Sequence, residues 1–193
     1  LASVAAGNTE QGLALFKQAV SLAPASPRPL IEKAKLENQL GRHLEAFNTL
    51  AELDKAAPQA MPLAADLLAH VAISSGQETA ALAQLKRNYD ALPSVDVVEA
   101  IIKLGKDTRS ASDWYIAHLE RQPSLLAATR WIAGERFENE QPHGLVQRAL
   151  DQATKPLMRY RCAACGFEAK RHFWQCPGCQ AWDSYPARRV EEL

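Results

Sequence analysis

The chain has 193 residues, enough to bury a core of its own and carry a small second module. Hydrophobic residues make up 47% and charged residues 23%, an ordinary globular balance that excludes a wholly disordered chain. Lys+Arg and Asp+Glu both number 22, so the net charge is zero, which disfavours a generally basic nucleic-acid binder. The longest stretch free of Asp, Glu, Lys and Arg is 11 residues, short of the about 18 apolar residues a membrane-spanning helix needs.

In chain order, Leu1–Gly7 reads as the end of a helix, with no initiator methionine and no signal-peptide pattern. The chain is therefore expected to be a C-terminal fragment of something longer, which leaves room for an anchor outside it. A repeat follows. Gly7 to Pro24, Gly41 to Pro58 and Gly76 to Pro93 each span 17 residues, and successive glycines and prolines lie 34 or 35 apart. A second register runs inside the blocks: Gly12 and Phe16, Ala46 and Leu50, Ala81 and Leu85 fall five and nine residues after the glycine. Ala111 and Tyr115 keep the same offsets from Pro123, but Pro93 to Pro123 is only 30, which predicts a shortened first helix there.

This pattern resembles the tetratricopeptide repeat, two antiparallel helices per 34 residues. Glycine sits where helix A turns into helix B, a small residue allows close packing, and proline ends helix B. The resemblance covers about residues 1–123 and a degenerate final pair to about 154. The large first-helix residues of the family are mostly absent; Leu30 and Ala34, or Ala65, Leu68 and Ala72, take that face. Stacked repeats form a superhelix whose helix A usually lines the concave side. On that side fall Arg28, Lys35 and Gln39, then Asp66, His70 and Ser74, read either as a solvated face or as a partner groove.

Beyond Pro123, Ser124–Ala133 and Gly144–Ala153 carry apolar residues at helical spacing. Trp131 and Phe137 are expected in the core, and Leu145, Val146 and Leu150 on one face of the last helix. Thr154-Lys155-Pro156 then changes the composition. The expected architecture is mainly α: a helical solenoid over 1–155, and a small β module with a tail over 156–193.

All four cysteines lie in that module: Cys162, Cys165, Cys176 and Cys179, as C-x2-C-x10-C-x2-C. Clustering in two knuckles argues for a metal in a reducing compartment rather than a disulfide framework. Two knuckles joined by a ten-residue hairpin bring four thiolates to one tetrahedral centre, with Gly166 and Gly178 relieving the turns. Zinc and a single rubredoxin-type iron both suit four sulfurs. Arg161, Lys170 and Arg171 are placed to offset thiolate charge. Four protein ligands leave no open position, which argues against metal-assisted hydrolysis. His172 is a conceivable ligand, but the four cysteines fill the site.

Repeats followed by Tyr160-Arg161-Cys162-x-x-Cys165-Gly166-Phe167 and Phe173-Trp174-x-Cys176-Pro177-x-Cys179-x-Ala181-Trp182 resemble the lipopolysaccharide assembly protein B family. The resemblance implies tetratricopeptide repeats and a C-terminal rubredoxin-type module with iron, held at the cytoplasmic face of the inner membrane by an anchor absent from this fragment. It implies a non-enzymatic adaptor that promotes degradation of the deacetylase committing lipid A synthesis, through a membrane-anchored ATP-dependent protease.

Two other readings exist. Residues 155–189 hold seven basic and two acidic side chains beside Phe167, Phe173, Trp174 and Trp182, which would suit a nucleic-acid-binding ribbon. An iron-loaded module could instead carry electrons. The short linker and the unburied aromatics, Trp174 and Trp182 above all, predict that the module docks on the final repeats and caps their open end.

Overall fold

A computed structural model describes residues 8–137 and 140–193. The reading of Leu1–Gly7 as a helix end, and Gly7 as the first turn glycine, lies outside the described residues. The chain is mainly α-helical. Helix α1 (Thr9–Leu22) opens the described part; then come the pairs α2 (Pro27–Gln39) with α3 (His43–Ala56), α4 (Ala65–Ser75) with α5 (Glu78–Ala91), α6 (Val95–Leu104) with α7 (Ala111–Arg121) and α8 (Leu125–Gly134) with α9 (Glu140–Thr154). Among the described residues no helix is long and apolar enough to cross a membrane.

The period has a local cause at each turn. Gly41, Gly76 and Gly105 take φ of +73°, +70° and +63°, the left-handed conformation that ends a first helix cheaply only for glycine. Pro24, Pro58, Pro93 and Pro123 each stand two residues beyond a second helix. The shortening near Pro123 falls on the first-helix half: Pro93 to Gly105 spans 12 residues against 18 from Pro58 to Gly76, while Gly105 to Pro123 keeps 18. α6 has 10 residues against 13 in α2 and 11 in α4; α7, with 11 against 14 in α3 and α5, gives up its first turn as well. A longer turn, 105–110, replaces the first turn of α7. Ala111 is consequently exposed, unlike Ala46 and Ala81, which are fully buried.

Leu30, Ala34, Ala65, Leu68 and Ala72 are buried in one continuous core with Leu50, Leu53, Leu85 and Ile101. Each such leucine or isoleucine contributes about 1.5–3 kcal/mol. α4 packs closely along α6, whereas α3 and α5 scarcely touch, so the solenoid closes on the first-helix side. A 3-10 turn, Pro58–Leu63, sits between α3 and α4 and was not evident from the repeat. It buries Ala60, Met61 and Pro62 and half-buries Leu63.

The last pair departs from expectation. Trp131 is partly buried, its Nε1 donating to Ser112 Oγ at 2.9 Å, but Phe137 is exposed beside His143. Leu145 and Val146 are also exposed, so none of the described residues covers that face of the last helix.

Candidate metal centre and its docking face

The module follows α9 after a five-residue turn. β1 (Tyr160–Arg161) pairs antiparallel with β2 (Glu168–Ala169), and Gln175 pairs with Trp182 in a single bridge. There is no ten-residue hairpin between the knuckles. Each knuckle instead closes its own short antiparallel pair, 162–167 on the first and 176–181 on the second. The two turns are near copies. Gly166 N–H donates to Cys162 O, and Gln180 N–H to Cys176 O, both at 2.9 Å. Cys162 N–H donates to Phe167 O, and Cys176 N–H to Ala181 O, again at 2.9 Å.

The glycine roles differ from the sequence reading. Gly166 has φ +76°, and Gln180, its counterpart, takes φ +64° without being glycine. Gly178 has no such backbone; a Cβ there would meet the Phe167 ring at 3.2 Å. Gly178 makes room for Phe167 and, with Cys179, directs backbone N–H toward Cys176 sulfur.

The four Sγ atoms lie within 4.8 Å of one another. Cys162 to Cys179 is 3.8 Å and Cys165 to Cys176 is 3.7 Å. A regular tetrahedron with metal–sulfur bonds of about 2.3 Å has edges of about 3.8 Å, so the sulfurs fit one tetrahedral ion. Those bond lengths do not separate zinc from iron. The four cysteines would supply all the ligands, and the ion would supply folding free energy to a module too small for a self-sufficient core. Ser184 Oγ lies 3.2 Å from Cys162 Sγ; this contact, with the N–H groups of Ala164 and Cys165, holds the Cys162 thiol down at about 6 against burial. At Cys165 the Phe167 N–H is outweighed by the neighbouring thiols and burial, which push it up to about 12. Four crowded sulfurs favour partial ionisation without a cation, and a cation removes that conflict.

His172 is not a ligand. Its Nε2 lies 3.0 Å from Tyr185 O, and its ring sits edge-on to Tyr160, Trp174 and Tyr185. Burial lowers its pKa. Three of the seven basic side chains of residues 155–189 are ion-paired. Arg161 pairs with Glu168 at 2.8 Å, and Arg189 with Asp96 at 2.7 Å. The pairing with Glu168 takes Arg161 out of the cations free to offset thiolate charge.

The module lies across the first-helix side, not on the end formed by α9. Trp174 Nε1 donates to Glu32 Oε1 in α2 at 3.0 Å, and its ring packs on the repeat core with Ala187. Leu63 belongs to both cores, touching the repeats and the cluster of Tyr160, Cys162, Cys176 and Tyr185. Trp182 is 54% exposed, with the Arg28 guanidinium 4.5 Å above its ring. The partner-groove residues therefore split. Arg28 and Lys35 face the module, whereas Gln39, Asp66, His70 and Ser74 are exposed beyond it. Asp66 is paired with Lys103, and His70 is edge-on to His43.

The tail was not foreseen as part of this face. Glu192 accepts Val95 N–H at 2.8 Å and Ser94 Oγ–H at 3.2 Å, capping α6. Glu191 accepts Leu126 N–H at 2.9 Å and Ser124 Oγ–H at 2.8 Å, capping α8. Adjacent carboxylates thus serve two successive first helices. Arg189 Nη1 donates to Met158 O at 2.7 Å, tying the tail to the linker. The available signal was the repeated Pro-Ser before α6 and α8, opposite an acidic pair at the chain's end.

These features define a class: a helical-repeat scaffold carrying a tetracysteine metal module against its first-helix side. A family model described as the rubredoxin metal binding domain matches residues 160–185, and one described as the tetratricopeptide repeat matches 3–71. Lipopolysaccharide assembly protein B of Escherichia coli (strain K12) is 29% identical over 107 residues, 51% of this chain and 26% of that protein. The protein of the same name from Haemophilus influenzae is 28% identical over 85 residues, 41% of this chain and 22% of that protein. The aligned part spans about a quarter of these curated relatives. Over about half its length the chain is similar to these lipopolysaccharide assembly protein B relatives, and its repeats and its C-terminal module match the two family models.

Proposed function

We propose that the chain is the working part of a non-enzymatic adaptor in lipopolysaccharide synthesis. In this reading residues 1–155 form the partner-binding solenoid and 156–193 the metal module and tail. The adaptor stands at the cytoplasmic face of the inner membrane through an anchor outside this chain. It presents the deacetylase that commits lipid A synthesis to a membrane-anchored ATP-dependent protease. The observation that carries the reading is the joint face. A closed four-sulfur site suits a structural ion, and that ion holds aromatic and charged groups against the first helices, where repeat proteins recognise partners. Gln39, His70 and Ser74 are the exposed groove positions on that face.

The test is affinity capture and turnover with the anchored full-length protein. Deacetylase and protease should co-purify with it, and the deacetylase half-life should lengthen when Cys176 and Cys179 are replaced by serine. An unchanged half-life with normally folded wild-type protein would count against the adaptor reading. Elemental analysis should find one zinc or iron per chain.

A further inference from the structure

A cleft of about 550 Å³ separates the module from α2, away from the sulfurs. Ile31, Leu63 and Trp174 form its apolar wall, and Lys35, Lys170 and Arg171 stand around it. Its only acidic group is Glu32, already shared between Trp174 Nε1 at 3.0 Å and Lys35 Nζ at 2.9 Å. Arg189, also in the lining, is held by Asp96. Lys170 and Arg171 form no ion pair among the described residues, and Arg171 lies over the Phe173 ring at 4.7 Å. Two cations without acidic partners thus border an apolar wall in a cleft of ligand size.

We propose that this cleft binds an acidic peptide segment, with a carboxylate held by Lys170 and Arg171 and a neighbouring apolar side chain against Leu63 and Trp174. This deepens the adaptor reading and rests on it. The chemistry favours a peptide over a compact phosphate. No glycine lines the cleft, and α2 enters it only from Ile31 onward, past its N-terminal turn. The backbone N–H cradle that phosphates use is therefore missing. Side-chain cations spaced around an apolar wall suit carboxylates spread along an extended segment. Because α2, the 3-10 turn and the module all supply lining, the site exists only while the module is docked.

The test is an NMR titration of the metal-loaded, isotope-labelled chain with a synthetic peptide of alternating Glu and Leu at low salt. Amide shifts are expected at Lys170–Trp174 and at Lys35, with affinity falling at least about tenfold in K170E/R171E and more weakly in the alanine pair. Both side chains are exposed, and unchanged spectra elsewhere confirm that the variants fold. Equal binding of a Lys-Leu peptide, or the same shifts from pyrophosphate or anionic phosphatidylglycerol vesicles without response to the acidic peptide, overturns the proposal. Shifts confined to Gln39, His70 and Ser74 overturn the cleft and leave the adaptor reading standing. No shift with the peptide also overturns the cleft, while the adaptor reading is decided by the capture experiment.

Discussion

Gly166 and Gln180 occupy equivalent places in the two knuckles, and only one is glycine. A side chain in the left-handed region costs about 1–2 kcal/mol. A Cβ at Gly166 would meet nothing within 4 Å, so Gly166→Ala tests the backbone cost alone. It should weaken metal binding about tenfold, read by competition with a chromogenic chelator. Gln180→Gly should act oppositely, tightening binding up to a few-fold, because the added entropy of an unfolded glycine returns about 0.5–1 kcal/mol of the relief. Gly178→Ala is a different experiment: the Phe167 ring must shift to admit the methyl.

At the scale of elements, helix starts carry the distinctive chemistry. α7 has its own capping box, Ser110 with Asp113, whereas α6 borrows its cap from the tail. A cap is worth about 0.5–2 kcal/mol. Glu191→Ala with Glu192→Ala should therefore cost about 1–4 kcal/mol. Hydrogen exchange should accelerate in the first turns of α6 and α8 and stay unchanged in α4. The α7 region should also loosen in two acid steps. Burial lowers the pKa of His118, so the folded state takes a proton less readily than the unfolded chain. That contribution is present above the unfolded value of 6.5 and is lost as the pH falls below it toward the folded value. The Ser110 hydroxyl and N–H lower the pKa of Asp113, so its contribution holds above 3.8 and is lost below. His118→Gln should abolish the upper step in a pH series of exchange rates and leave the lower one.

For the whole molecule, the decisive contact is Leu63, which belongs to both hydrophobic clusters. Leu63→Ala should cost about 2–5 kcal/mol and lower the unfolding temperature of repeats and module together. Trp174→Phe keeps most of the ring and loses the bond to Glu32, at about 0.5–1.5 kcal/mol, while Glu32 keeps its ion pair with Lys35. Leu145→Ala, at an exposed position, should change little. Backbone relaxation should give the module the same tumbling time as α2 and α6. A separate, faster time for residues 160–185 would overturn the docked arrangement.

The repeat and the knuckles were legible because each depends on local chemistry. A glycine that must turn left-handed and a proline that must end a helix recur at a readable spacing. Four cysteines in two close pairs can hardly converge except on an ion. Leu30, Ala34, Leu68 and Ala72 betrayed their burial by helical period alone. The tertiary structure decided what spacing does not encode. Trp174 meets Glu32 across 142 residues, and Glu192 meets Val95 across 97. Such pairings depend on how the solenoid curves and where a five-residue turn releases the chain. The module consequently rests on the first-helix side, takes Arg28 and Lys35 from the open groove, and leaves Leu145 and Val146 bare. The same contacts turn the tail into a cap for two helices, because an unsatisfied backbone N–H accepts a carboxylate from any part of the chain that geometry brings near.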